Sequence, residues 1–193
     1  MRNARFVVAL CAIALFAASR PASATTLRFE SFMVGSNEVP PNGSPATGFA
    51  VIEVDDVANT LLINMSWAGL IGGNPAAAHI HCCTPPGANA TVAIGFPSFP
   101  ATTSGTYSQL FDLTNIAIYN VTFRNTFGGG TAAGSEAALI AGLQDGLAYT
   151  NIHNATFPGG EIRGQVAETP EPASLVLLGT GLAAALRARR KKA

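Results

Sequence analysis

The chain has 193 residues, with 11 basic and 11 acidic side chains and a formal net charge of zero. That neutrality comes from the ends: Arg2, Arg5 and Arg20 precede residue 25, and five more cations crowd 187–192. Between 25 and 169, Arg28, Arg124 and Arg163 face ten acids with no lysine, a net charge of −7 that excludes a nucleic-acid-binding surface. This span has the length of one ordinary domain, long enough to bury a core.

Taken in chain order, Arg2 and Arg5 come first, then an apolar run over 6–18, then Arg20-Pro21 and the small triplet Ala22-Ser23-Ala24. This is the layout of a secretory signal peptide over 1–24, with Thr25 as the first mature residue. Residues 26–32 alternate Leu27, Phe29 and Ser31 against Arg28, Glu30 and Phe32. Residues 48–54 and 60–67 read as two strands; in the second, Leu61, Ile63, Met65 and Trp67 oppose Leu62, Asn64 and Ser66. The link between them, Asp55-Asp56 with Asn59, lacks the spacing and distal Glu of a calcium loop and reads as a solvated turn. Residues 76–82 read as a short strand, with weaker strands at 91–96, 105–113 and 121–123. A helix is expected over 135–146: Ser135 can cap it, Leu139, Leu143 and Leu147 recur at spacing four, and Gly146 can end it. Residues 149–153 and 161–166 form a hairpin around Asn154, Pro158, Gly159 and Gly160. Turn formers outnumber helix formers, so the fold is mainly β.

The chain closes on Pro170-Glu171-Pro172, an apolar run over 173–186 and the cluster Arg187, Arg189, Arg190, Lys191 and Lys192. As a helix the apolar run would be about 21 Å long, short of a hydrocarbon core of ~30 Å. It serves as a transient membrane segment with the basic cluster on the cytoplasmic side. The three parts in this order resemble the PEP-CTERM sorting signal of bacteria. The resemblance implies recognition and tail removal by an exosortase during export; a plain C-terminal membrane anchor is the alternative.

Six blocks of the middle span carry a second resemblance. They are Glu38-Val39-Pro40-Pro41, Gly48, Gly69-Leu70, Ala78-His79-Ile80-His81, Tyr149-Thr150-Asn151-Ile152-His153 and Gly160-Glu161-Ile162-Arg163-Gly164-Gln165. Together they resemble the CHRD domain over about 27–167. That resemblance implies an immunoglobulin-like β-sandwich or barrel, an exported setting and no particular reaction. Where the family commonly has Gly-Pro after the His-X-His, this chain has Cys82-Cys83. The domains are then a signal peptide (1–24), a CHRD domain (25–169) and a sorting tail (170–193).

The candidate site rests on the chain's three histidines. Side chains two apart on a strand share a face, so His79 and His81 point the same way, with Cα atoms about 6.6 Å apart. His153 shares a strand with Tyr149 and Asn151, and Glu161 opens the partner strand. Two readings stand. In one, the histidines join a buried polar network with Asn151, Glu161 and Arg163. In the other, His79, His81, His153 and Glu161 hold one zinc or copper ion. The copper–zinc superoxide dismutases also place His-X-His on a β-sandwich strand, but their two-metal site needs more histidines than this chain has. Cys82 and Cys83 can form a vicinal disulfide, an intermolecular bridge or a thiolate ligand, or remain free thiols.

No nucleophile elbow, phosphate loop, dinucleotide fingerprint or zinc-protease motif occurs, so an enzyme is not expected. The expected function is a non-catalytic exported module of the cell surface or extracellular matrix, with a binding or structural role. Its expected partners are the secretion machinery and an exosortase, with no nucleic acid. The alternative is a small secreted copper or zinc protein with redox activity.

Overall fold

The structure, a computed structural model, describes residues 26–169 and 179–182. The expected signal peptide, the Pro170-Glu171-Pro172 motif and the basic cluster lie outside the described residues. Among the described residues no helix is long and apolar enough to cross a membrane.

Period-two alternation produces eight strands. They are β1 (Thr26–Val34), β2 (Thr47–Asp55), β3 (Thr60–Ala68), β4 (Pro75–Cys82), β5 (Thr91–Gly95), β6 (Gly105–Asp112), β7 (Tyr149–Asn154) and β8 (Ile162–Glu168). All pair antiparallel in one sheet of order β5-β4-β7-β8-β1-β2-β3-β6. The mainly-β expectation holds, as a single sheet curled into a half-barrel.

The register sets which side chains face inward. Phe29 and Met33 of β1 share a face with Ile52 and Val54 of β2, and with Leu61, Ile63, Met65 and Trp67 of β3. Ala78, Ile80 and Cys82 of β4, Ile152 of β7, and Ile162 and Val166 of β8 complete that face. All of these are buried, and together they form the core. Each fully buried side chain of this size contributes about 1.5–3 kcal/mol against the entropy of ordering the chain.

The curl is completed between the two edge strands. Phe96 and Phe99, just past β5, pack against Tyr107 and Phe111 of β6, with ring centroids 5.1–6.3 Å apart. Trp67 stacks on Phe99 at 4.5 Å and donates its indole N–H to the Thr102 carbonyl. The chain leaving β6 then crosses to β5, where Tyr119 bridges to Ile94 and the Asn120 N–H donates to the Ala93 carbonyl.

Two helices close the open end. Residues 121–123, expected as a strand, instead begin α1 (Val121–Phe127). The Asn120 side chain accepts from the Thr122 N–H and so caps the first turn, and Phe123 is buried against Tyr119. The expected helix over 135–146 is α2 (Ala132–Gln144). Its cap is Thr131, whose hydroxyl accepts from the Gly134 N–H, whereas Ser135 lies inside the helix and is fully buried. At its end Gly146 takes φ +67°, with Leu147 N–H on the Gly142 carbonyl and Gly146 N–H on the Leu143 carbonyl. This is the paired-bond C-terminal motif that favours glycine.

The link between β2 and β3 is the expected solvated turn. Asp55 Oδ1 accepts from the N–H groups of Val57 and Ala58, and Asn59 takes φ +54°.

Candidate functional site

The outer face of β4, β7 and β8 is where the polar residues gather. His79 pairs with Asn151 and His81 with Tyr149, while Asn151 pairs with Arg163. His79, His81, Tyr149, Asn151, His153 and Arg163 therefore all project from one side, opposite the apolar core. Although this is the outer face, His81, Tyr149, Asn151 and Arg163 are buried there. Two loops cover them: the segment 88–90 between β4 and β5, and the segment around Glu38 after β1.

The three histidines come together: the two-residue spacing sets His79 and His81 on one face, and the pairing of β4 with β7 brings His153 to them. One ring nitrogen from each lies within 4.8 Å of the others. Ring centroids are 5.4 Å apart for His79 and His81, 5.0 Å for His79 and His153, and 6.0 Å for His81 and His153. His81 Nδ1 lies 2.8 Å from the Ala90 carbonyl, and His153 Nδ1 lies 3.0 Å from the Pro158 carbonyl. A carbonyl only accepts, so His81 Nδ1 donates and, in the neutral ring, its Nε2 keeps the lone pair. His153 Nε2 lies 2.9 Å from Asn151 Oδ1, so both nitrogens of that ring face acceptors and the neutral ring donates to one of the two. His81 Nε2 and His79 Nδ1 are buried and have no hydrogen-bond partner. Burial lowers the pKa of His79 and of His81 to about 4, and lowers that of His153 as well. His79 and His81 are therefore neutral at neutral pH.

A stacked column ties the histidines to the covering loop. The His81 ring lies 4.5 Å from the Tyr149 ring and nearly parallel to it. The Arg163 guanidinium carbon lies 3.4 Å from the same ring's centroid. Arg163 then donates to Asn89 Oδ1 at 3.1 Å and to the Ala88 carbonyl at 2.7 Å, and the Ala90 N–H donates to the Tyr149 hydroxyl. Three strands and one loop are held by three planar groups.

Glu161 is fully buried but does not join the histidines. Its Oε1 accepts from Ser44 Oγ at 2.6 Å and from the Ile71 N–H at 2.7 Å, and its Oε2 accepts from the Gly72 N–H at 3.1 Å and from Asn154 Nδ2. Asn42 adds bonds to the Gly160 and Glu161 carbonyls. Of the expected ligand set the structure gathers the three histidines and places Glu161 in the structural network, where it pins the loops at 42–44 and 69–72. Asn151 lies beside His153, and Arg163 reaches the covering loop.

Sequence reasoning gave Glu38 and Asn89 no part in this face, and it set Tyr149 beside His153 without its stacking role. Glu38 is buried beside Gly160, and desolvation raises its carboxyl to about 7 despite the opposing pull of Arg163. An acid set against two prolines was the available signal. Asn89 and Ala88 carried none, because one of the two contacts to Arg163 is to backbone.

Cys82 and Cys83 form a vicinal disulfide, one of the open alternatives. It lies under α2 at Gly142, where a β-carbon would stand 2.2 Å from Cys82 Sγ. The bond consumes both thiols, so neither is a free thiolate for the histidine cluster.

Fold and site define an acidic β domain with one curled sheet and a loop-covered polar outer face. The chain belongs to the CHRD domain family, whose model matches residues 29–166. The PEP-CTERM protein-sorting motif matches residues 168–191, which indicates export to the cell envelope or surface and recognition by exosortase-type sorting machinery. No curated protein and no solved structure matches the chain.

Proposed function

We propose that the protein is a non-catalytic module of the cell surface or extracellular matrix, acting through binding or as a structural component. The observation that carries this reading is the juxtaposition of its two matched regions. A CHRD domain fills 29–166 and a sorting motif begins at 168, so one folded domain occupies the chain between its expected signals. The buried polar groups support a holding role. Arg163, Glu161 and Asn42 reach loop backbone, and Gln165 donates to the Gly146 and Ala148 carbonyls. A metalloprotein with redox-active thiols is not favoured, since both cysteines are joined to each other.

The test is to follow the full chain and a Glu171→Ala variant in the producing cell. The expected result is a full chain that external protease reaches on intact cells and that washed envelopes or matrix retain saturably. The variant should accumulate with its tail uncleaved. A full chain confined to the cytoplasm would overturn the export reading. Free release into the medium, without retention on envelopes or matrix, would overturn the binding or structural role.

A further inference from the structure

Every imidazole of the chain lies in one cluster, since the sequence has three histidines and all three are in it. We propose that His79, His81 and His153 bind one late first-row divalent cation, zinc or copper(II), through ring nitrogens alone, with a fourth position left to water.

The geometry carries this in three steps. The donors share one face by strand register, and two of their atoms, His81 Nε2 and His79 Nδ1, are buried without a partner. Buried polar atoms nearly always find a partner, so two orphaned ring nitrogens in one cluster of three imidazoles mark a place where a cation would satisfy both. The second step is orientation. His81 donates its Nδ1–H to the Ala90 carbonyl, which leaves its Nε2 lone pair free, and His153 Nδ1 lies 3.0 Å from the Pro158 carbonyl, which accepts its proton once a cation takes Nε2. That outer hydrogen bond is the arrangement by which proteins orient ligating histidines. The third step is donor chemistry. Imidazole without carboxylate suits zinc and copper and disfavours calcium and magnesium, which require oxygen ligands. Three protein ligands with an open fourth position is also a coordination that zinc accepts.

Closure requires a small movement. At bond lengths of ~2.0–2.1 Å, tetrahedral donors stand about 3.4 Å apart, so the rings swing inward by about 1 Å. His79 and His153 are only half-buried and have room to do this. Asn151 then releases His153 Nε2 and remains beside it.

The test uses the untagged exported protein, stripped with chelator and titrated with Zn²⁺ and separately with Cu²⁺ against a competing chelator. The expected result is one equivalent bound, with X-ray absorption of the zinc form showing imidazole nitrogens in the first shell. His79→Ala should weaken binding on the order of 100-fold or more, because even outer-shell changes cost 10–100-fold. Its metal-free melting temperature should stay within a few degrees of the parent. Equal binding by parent and variant, or a first shell of oxygen alone, would overturn the proposal by assigning the metal to surface carboxylates. The absorption spectrum of the parent decides the question even where the variant does not fold.

Discussion

The outer face of the sheet has two halves with opposite chemistry. Over β4, β7 and β8 it carries His81, Tyr149, Asn151 and Arg163, all buried beneath loops. Over β1, β2, β3 and β6 it is bare. Phe32 is 59% exposed and its cross-strand partner Phe49 is 40% exposed, with Ser66, Thr106 and Ser108 beyond them. Both halves rest on the same core, and the alternation that builds them is the same. The difference lies in the loops: where a loop covers a sheet, charged and aromatic groups must be satisfied with fixed partners, and where none does, water suffices. Substitutions that remove a fixed hydrogen-bond partner should therefore be costly on the covered half, and substitutions on the bare half nearly neutral.

The largest effect is expected at Glu161. Glu161→Ala leaves the Ser44 hydroxyl, the Ile71 and Gly72 N–H groups and the Asn154 amide without their acceptor. Each stranded buried donor costs about 1–3 kcal/mol, and with partial rehydration the total should reach roughly 3–5 kcal/mol in urea denaturation. Glu161→Gln keeps one acceptor oxygen and should cost about half as much. A loss under ~1 kcal/mol for the alanine variant would show that the loops at 42–44 and 69–72 hold themselves.

Arg163 comes next. Arg163→Ala removes two hydrogen bonds to the covering loop and the stack on Tyr149, and should cost about 2–3 kcal/mol. Arg163→Lys keeps the charge but not the planar fork, so it should recover less than half of that. Full recovery by lysine would show that charge, rather than stacking geometry, joins the strands.

The covered half also carries the pH dependence. His79 and His81 fall to about 4 in the fold from an ordinary 6.5, so between those values the unfolded chain holds more protons. Stability of the metal-free protein is lost as pH falls through that window. Glu38 works in the opposite sense. Its carboxyl rises to about 7 from 4.5, so its contribution is full below 4.5 and is lost as pH rises through 7. Urea midpoints should accordingly drop from pH 6.5 to pH 4. Relative to the parent, Glu38→Gln should be more stable at pH 8 than at pH 4.5. A parent–variant difference that stays flat with pH would place Glu38 in contact with water.

Much of this division was legible before any coordinates. Alternation located all eight strands to within a residue or two, and the spacing of His79 and His81 put two of the three site histidines on one face. What sequence could not supply was the third dimension of the loops. Glu161 read as a neighbour of the histidines because it stands just before β8, yet two of its partners come from residues 90 and 117 positions earlier. Residues 121–123 read as a strand because their β-branched pattern is local, whereas the Asn120 cap and the burial of Phe123 against Tyr119 that make α1 depend on how the chain crosses from β6 to β5. Local pattern fixes faces; partners brought from afar decide which polar groups are satisfied.

The smallest effect provides the most exacting control. Phe49→Thr removes a half-exposed ring from the bare half and replaces it with a β-branched residue suited to a strand. The lost cross-strand contact with Phe32 is worth about 0.2–1 kcal/mol, and strand propensity returns part of it, so the net change should lie within ~0.5 kcal/mol. Combined with Glu161→Ala, the two changes should add to within ~0.5 kcal/mol, since the groups share no hydrogen-bond or ring partner. A cost above ~2 kcal/mol for Phe49→Thr would mean that this half is also covered, by a second protein surface or by chain outside the described residues. The contrast between the halves would then reflect two kinds of cover, not cover against water.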